Sequence, residues 1–237
     1  MGSNPFYGER ALKYDLFFKT AFGRAVKELE GELLVEALKE FKGRELLEVG
    51  CGTGVWLEYL KEQGFKEPVG LDISRDMLKV AKAKGLRKLV EGSGAHLPFR
   101  KSSFDAVYFM TSLEFMVEKR EALLEAARVS RKAVVVGFLN SFSLLNLYRK
   151  VKGLFKESVY SAGSFLSREE ILKMARWVGE VSRYSLRVES FKTTLNFSVD
   201  GFVNPKVERL VGQELPTGGF GIIKFRVIKR DGAGKGD

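Results

Sequence analysis

Apolar positions recur along the chain in two periods. Val26, Leu29, Leu33, Leu34, Ala37, Leu38 and Phe41 fall at helical spacing and form one stripe, which Gly43 stops. Beyond that stop, short apolar runs alternate with amphipathic stretches. Residues 45–49, 68–72, 86–90, 104–110 and 133–138 read as five strands. Helices read at 55–62, from Ser74 through Met77, Leu78 and Ala81, and over 121–129. Strands alternating with helices predict parallel pairing in an open, doubly wound α/β sheet.

The rhythm changes after Leu139. Residues 141–155 are amphipathic and basic, and 158–165 are polar and irregular. Ser167 and Glu170 have the spacing of a capping box and start a helix with Ile171, Leu172, Ala175 and Val178 on its apolar side. Strands at 184–194 and 221–228 close a seven-stranded sheet, with 201–219 as their loop, and 231–237 reads as a flexible tail.

Composition narrows the picture without naming a partner. No run of 18 apolar residues suggests a membrane span, and the first residues lack the layout of a secretory signal. The lone cysteine, Cys51, excludes an intrachain disulfide framework, and a cytoplasmic location follows by default. The net charge is +10, but acidic residues are interleaved with basic ones, so a solvated surface explains it more simply than a nucleic-acid interface. Abundant charge and only two glutamines, Gln63 and Gln213, lean towards a thermophilic protein.

Candidate chemistry concentrates in Leu46-Leu47-Glu48-Val49-Gly50-Cys51-Gly52-Thr53-Gly54. An apolar strand enters three alternate glycines and then a helix, so the backbone can turn sharply and admit a ligand closely. A dinucleotide fold would want its third glycine at Val55, where the turn accommodates a pyrophosphate. Here the third glycine comes early, at Gly54, and Glu48 precedes the loop. That arrangement suits a ligand with a positive, phosphate-free end. Asp72, about 20 residues on at the end of the second strand, can take ribose hydroxyls or serve as a plain helix cap.

These segments resemble the class I S-adenosylmethionine-dependent methyltransferases, in particular the group with the ubiquinone and menaquinone methyltransferases. Residues 48–54 and Leu71-Asp72-Ile73-Ser74 with Met77-Leu78 resemble the first two motifs. Residues 92–99 followed by Ser103-Phe104-Asp105-Ala106-Val107 resemble the third. The resemblance runs from about Glu45 to Phe138 and implies a Rossmann-like fold that takes S-adenosylmethionine and releases S-adenosylhomocysteine. It implies that Gly50, Cys51, Gly52, Thr53 and Gly54 pass under the methionine part, with Glu48 near its ammonium. Asp72 would hold the ribose, and Ile73 and Met77 would pack on adenine. Ser93, Gly94 and Ala95 would meet the adenine edge, and Thr111 would line the site beside the methionine. Ser93 departs from the aspartate usual in the family, which puts the tightness of adenine binding in doubt.

The N-terminal aromatics extend the resemblance. Tyr14-Asp15 and Phe17-Phe18-Lys19-Thr20 with Gly23 resemble a lead-in that folds over the cofactor, so Tyr14 and Phe18 read either as a lid on the sulfonium or as core contacts of a helix. The expected organisation is one domain over 1–237. It comprises an N-terminal helical lid (1–42), a cofactor-binding core (43–139), a substrate cap (140–166) inserted after the fifth strand, and final helix and strands (167–230).

Direct displacement at a sulfonium methyl needs positioning more than acid–base machinery. His96 is therefore only a weak catalytic candidate, and nothing in the sequence requires a metal. The base-amine tetrapeptide is absent, with Thr111-Ser112-Leu113-Glu114 in its place, and Cys51 lies in the glycine loop. Glu114 and Glu118 stand too close in sequence to resemble the paired acids of arginine methyltransferases. A small or medium-sized organic acceptor is expected. RNA or protein acceptors, a non-catalytic S-adenosylmethionine-binding role, and peripheral membrane contact through residues 141–156 stand as alternatives.

Overall fold

The computed structural model describes residues 9–143, 165–197, 202–211, 213 and 215–230. Helices α1 (Glu9–Lys19) and α2 (Ala21–Leu38) come first. Thr20 caps α2, its Oγ1 accepting the Gly23 N–H at 2.9 Å. Then follow β1 (Leu46–Val49), α3 (Val55–Glu62), β2 (Val69–Asp72), α4 (Arg75–Ala83), β3 (Leu89–Glu91), β4 (Phe104–Met110), α5 (Lys119–Val129) and β5 (Ser130–Leu139). Helix α6 (Arg168–Val181), β6 (Tyr184–Thr194), α7 (Pro205–Val211) and β7 (Phe220–Lys229) complete the order.

The seven strands form one sheet in the order β3-β2-β1-β4-β5-β7-β6. Strands β1 to β5 pair in parallel, and β7 inserts antiparallel between β5 and β6. This is the mostly parallel, doubly wound sheet that the pattern predicts. β1 and β4 are buried at every residue, because helices cover both faces of the sheet. Val107, Phe109 and Val136 pack beneath α5 and α6 on one face. On the other, Leu29, Leu33 and Leu34 of α2 meet Tyr108, Met110 and Ile222.

The expected capping box forms: Ser167 Oγ accepts the Glu170 N–H at 3.1 Å, and Glu170 Oε2 accepts the Ser167 N–H at 2.7 Å. Two expectations need correction. The third strand is Leu89–Glu91 rather than 86–90, because the Leu86 N–H still bonds back to Ala81 O at 3.3 Å and its side chain is buried under the glycine loop. The loop 201–219 contains α7, which opens with proline at its first position. Buried Glu208 fixes it by accepting the N–H groups of Asn196 and Phe197 at 2.8 and 2.7 Å.

Most of the expected cap lies outside the described residues, as does the tail. Its two ends do meet. Asn140 bridges to Leu166, the Ser141 N–H donates to Leu166 O at 3.0 Å, and the Leu166 N–H donates to Leu139 O at 3.2 Å. The excursion therefore leaves and returns at the end of β5. Among the described residues no helix is long and apolar enough to cross a membrane.

Candidate functional site

β1 and β4 are neighbours whose connections run to opposite sides of the sheet, so a crevice opens at their C-terminal ends. The glycine loop enters it. Gly50 and Cys51 both donate backbone N–H to Leu71 O, at 2.7 and 3.0 Å, which ties the loop to β2. Gly52 sits at φ +54° with space where a Cβ would stand, while Gly54 at φ +78° presses on Leu86. Cys51 is buried, and burial, with the nearby Glu48 and Asp72 carboxyls, pushes its thiol well above the ordinary range. That thiol is not poised as a nucleophile.

Asp72 closes the loop from the side. Its Oδ2 accepts the Gly52 N–H and its Oδ1 the Ser74 N–H, both at 2.7 Å. The helix cap is Ser74, whose Oγ accepts the Met77 N–H at 3.4 Å, so Asp72 is not the cap. The Ile73 N–H adds a third backbone bond, and the two oxygens, with about four lone-pair sites, still have capacity for a ligand. Ile73 is 59% exposed beside it and offers an apolar face to a ligand, whereas Met77 is buried with its sulfur near the loop at Gly52.

Glu48 is fully buried at the base of the crevice. Tyr108 Oη donates to its Oε2 at 3.3 Å, while Oε1 has no hydrogen-bond partner among the described residues. Burial raises its carboxyl well above the usual range; the Tyr108 bond opposes the rise and the charge of Asp72 adds to it. A buried carboxylate oxygen without a donor is costly and calls for one.

Opposite the loop, Ser93 Oγ accepts the Ala95 N–H at 3.2 Å and braces the turn. Gly94 lies where a Cβ would strike Val49 and Met116, and Ala95 is buried. His96 faces solvent. Past β4, Thr111 takes a left-handed conformation at φ +47°, uncommon for a residue with a Cβ, and donates its N–H to Gly137 O at 2.9 Å. Ser112 Oγ then donates to Val49 O at 2.7 Å, which pins the following turn against β1.

Helix α1 crosses the loop. Tyr14 and Phe18 meet edge to face with centroids 5.3 Å apart, and Phe18 meets Trp56 of α3 at 6.0 Å. Asp15, between Tyr14 and Phe18 in the chain, accepts the Thr53 hydroxyl at 2.5 Å and pairs with Lys84, the C-cap of α4, at 2.7 Å.

Motif and spacing do not point to Asp15 as a contact, nor to Tyr108, Lys84 or Glu30. Glu30 had a signal, since it lies inside the apolar stripe of α2, between Val26 and Leu34. It is 4% exposed, and burial together with the charge of Glu114 raises its carboxyl to about 8. Glu114 is likewise buried and raised to about 7.

Comparisons with known proteins agree with this geometry. The methyltransferase domain family matches residues 47–136. An uncharacterized protein of Methanocaldococcus jannaschii is 32% identical, covering 81% of this chain and 72% of its own. The demethylmenaquinone methyltransferase of Geobacillus stearothermophilus is also 32% identical, over 62% of this chain and 76% of its own. A Thermotoga maritima S-adenosylmethionine-dependent methyltransferase, named as a possible histamine N-methyltransferase, superimposes with TM-score 0.67 at 25% identity, covering 91% and 94% of the two chains. With its early third glycine, its acid before the loop and its seven strands in this order, the chain belongs to the class I S-adenosylmethionine-dependent methyltransferases.

Proposed function

We propose that the crevice above β1 and β4 holds S-adenosylmethionine through the glycine loop and Asp72, and that the methyl group passes to a small organic acceptor. The observation that carries the cofactor assignment is the buried, donorless Oε1 of Glu48 beneath a loop kept open at Gly52. An ammonium group at the end of the methionine supplies the donor and the countercharge that this oxygen lacks. The free lone pairs of Asp72 accept the ribose hydroxyls. Ile73 covers one face of the adenine, and the turn at Ser93, Gly94 and Ala95 offers its backbone to the edge. Thr111 flanks the methionine, while Tyr14 and Phe18 close over the sulfonium from α1.

When bound, the cofactor supplies an already electrophilic methyl group. The protein's part is then to fix the acceptor in line with it and to keep water away. The left-handed turn at Thr111 and the Ser112–Val49 bond set that side of the crevice. The segment 140–166 departs from and returns to the same rim, and we assign acceptor choice to it together with α1. The relatives, one a demethylmenaquinone methyltransferase and another a possible histamine N-methyltransferase, support an acceptor of small or medium size.

Calorimetric titration with S-adenosylhomocysteine, with NADH as control, tests the cofactor assignment. Micromolar binding of the first alone is expected. Binding of NADH, or of neither, would overturn it. A panel of small acceptors against a structured RNA, read by release of S-adenosylhomocysteine, then tests the acceptor class.

A further inference from the structure

Glu30 interrupts the apolar stripe of α2. Its helical neighbours Val26, Leu33 and Leu34 pack in the cluster that contains Tyr108 and Met110, and Glu30 is buried among them. Glu114 is close enough for its charge to act on Glu30. It follows β4 by way of Thr111 and Ser112, and it is 2% exposed. Its Oε1 accepts the Leu139 N–H at 2.7 Å, and its Oε2 has no partner among the described residues. No lysine or arginine pairs with either carboxyl among the described residues, and the only cation acting on Glu114 is Lys119, the weakest influence on it. Two carboxyls buried together without a cation are expensive to keep in a fold, and leaving one oxygen without a donor adds to the cost.

The cofactor does not account for this pair. S-adenosylmethionine carries a sulfonium, an ammonium and a carboxylate, a net charge of one. On the reading above, Glu48 meets the ammonium and Asp72 the ribose. Glu30 and Glu114 remain over, and Glu114 is bonded to the end of β5, where residues 140 and 166 meet. A second positive guest would satisfy them. An alcohol brings no charge to the pair, and a carboxylic acid would be repelled.

We propose that Glu30 and Glu114 form the acceptor subsite and that it selects a cationic amine. The inference rests on the cofactor reading above. The ammonium form enters against the pair, and one N–H proton passes to the ionised carboxylate. The lone pair thus freed forms the nitrogen–carbon bond as the carbon–sulfur bond breaks and its electrons stay on sulfur. The carboxyl later returns its proton to water, so one proton is released per methyl transferred. Burial holds them at about 8 and about 7, and the charge of Glu114 adds to the rise at Glu30, so the pair can take that proton at neutral pH.

The test titrates the S-adenosylhomocysteine complex of the full chain with butylamine, benzylamine and phenethylamine. Butanol, benzyl alcohol and phenylethanol serve as matched neutral probes. Amines are expected to bind at least about tenfold more tightly than the alcohols, with a heat that depends on the buffer because the bound cation drives a proton off the partly protonated pair into solution. Glu30→Gln and Glu114→Gln should each abolish that preference while S-adenosylhomocysteine affinity stays within about twofold. Equal binding of amines and alcohols by the unaltered protein would overturn the proposal, and that comparison needs no variant to fold. So would a Glu114→Gln protein that keeps its amine preference but loses its preference for S-adenosylmethionine over S-adenosylhomocysteine, since the pair would then serve the sulfonium. If the unaltered protein fails to bind S-adenosylhomocysteine, the cofactor reading itself falls.

Discussion

Asp15 of α1 accepts the hydroxyl hydrogen of Thr53, in the middle of the glycine loop, at 2.5 Å. The same carboxylate pairs with Lys84 at 2.7 Å, and Lys84 reaches Glu58 of α3 at 3.2 Å. One side chain from the first helix therefore fixes the loop, α3 and α4 together. Tyr14 and Phe18 flank it and inherit its position.

Asp15→Ala should loosen α1 and the loop at once. Charge-assisted bonds of this kind are worth roughly 1.5–3 kcal/mol each when partly buried. Affinity for S-adenosylhomocysteine is expected to fall at least about tenfold. Lys84→Met removes only the ion pair and should cost less than Asp15→Ala. Calorimetry on both variants checks the ordering; equal losses would place the effect in the ion pair rather than on Thr53.

Two glycines of the loop should respond differently to alanine. At Gly54 a Cβ would stand 2.2 Å from Leu86 Cδ1 at a backbone φ of +78°, so Gly54→Ala forces a core residue to move. At Gly52 the nearest atom is the Met77 sulfur at 4.0 Å. Gly52→Ala pays only for its left-handed backbone, about 1 kcal/mol. Thermal unfolding should show a large loss for Gly54→Ala and a small one for Gly52→Ala. Binding of S-adenosylhomocysteine should fall sharply in the second, because its Cβ projects where the ligand approaches.

Local signals made much of this legible in the sequence. Apolar runs bounded by glycine mark β1, β2 and β4, and the Ser74 and Ser167 caps mark two helix starts. Periodicity is silent on contacts between residues far apart in the chain. Asp15 and Thr53 are separated by 38 residues and Glu48 and Tyr108 by 60, and no spacing rule joins either pair. Helix α7 escapes periodicity because seven residues carry less than two turns of pattern, although Asn204-Pro205 is a start signal. Glu30 goes unmarked in a stripe defined by its apolar members alone.

Asp72→Ala removes the acceptor for both the Gly52 and the Ser74 N–H groups, so it acts on the loop as well as on the proposed ribose contact. Affinity for S-adenosylhomocysteine should drop by at least about tenfold, and Asp72→Asn, which keeps one acceptor oxygen, should fall between. Adenosine separates the two effects. If Asp72 meets only the backbone, adenosine binding should survive the Asn variant unchanged; if it holds the ribose, adenosine should weaken in step.

The buried acid pair gives the ligand-free protein a pH dependence of definite sign. Glu30 is raised from 4.5 to about 8, chiefly by burial and then by the charge of Glu114, and Glu114 is raised to about 7, again chiefly by burial. A carboxyl whose folded value lies above its unfolded one favours the fold fully below about pH 4.5. That contribution is lost as pH climbs through 7 and 8, because the unfolded chain ionises more easily. Glu48 is shifted in the same direction and adds to the trend. The unfolding temperature should therefore decline between pH 5 and pH 9, by about 2–4 °C for each kcal/mol lost in a chain of this size. Glu30→Gln leaves nothing there to ionise, so its profile should be flatter, coinciding with the parent near pH 5 and lying above it near pH 9. Parallel profiles for the two proteins would mean that Glu30 ionises as easily folded as unfolded, through an outlet to water that its burial contradicts.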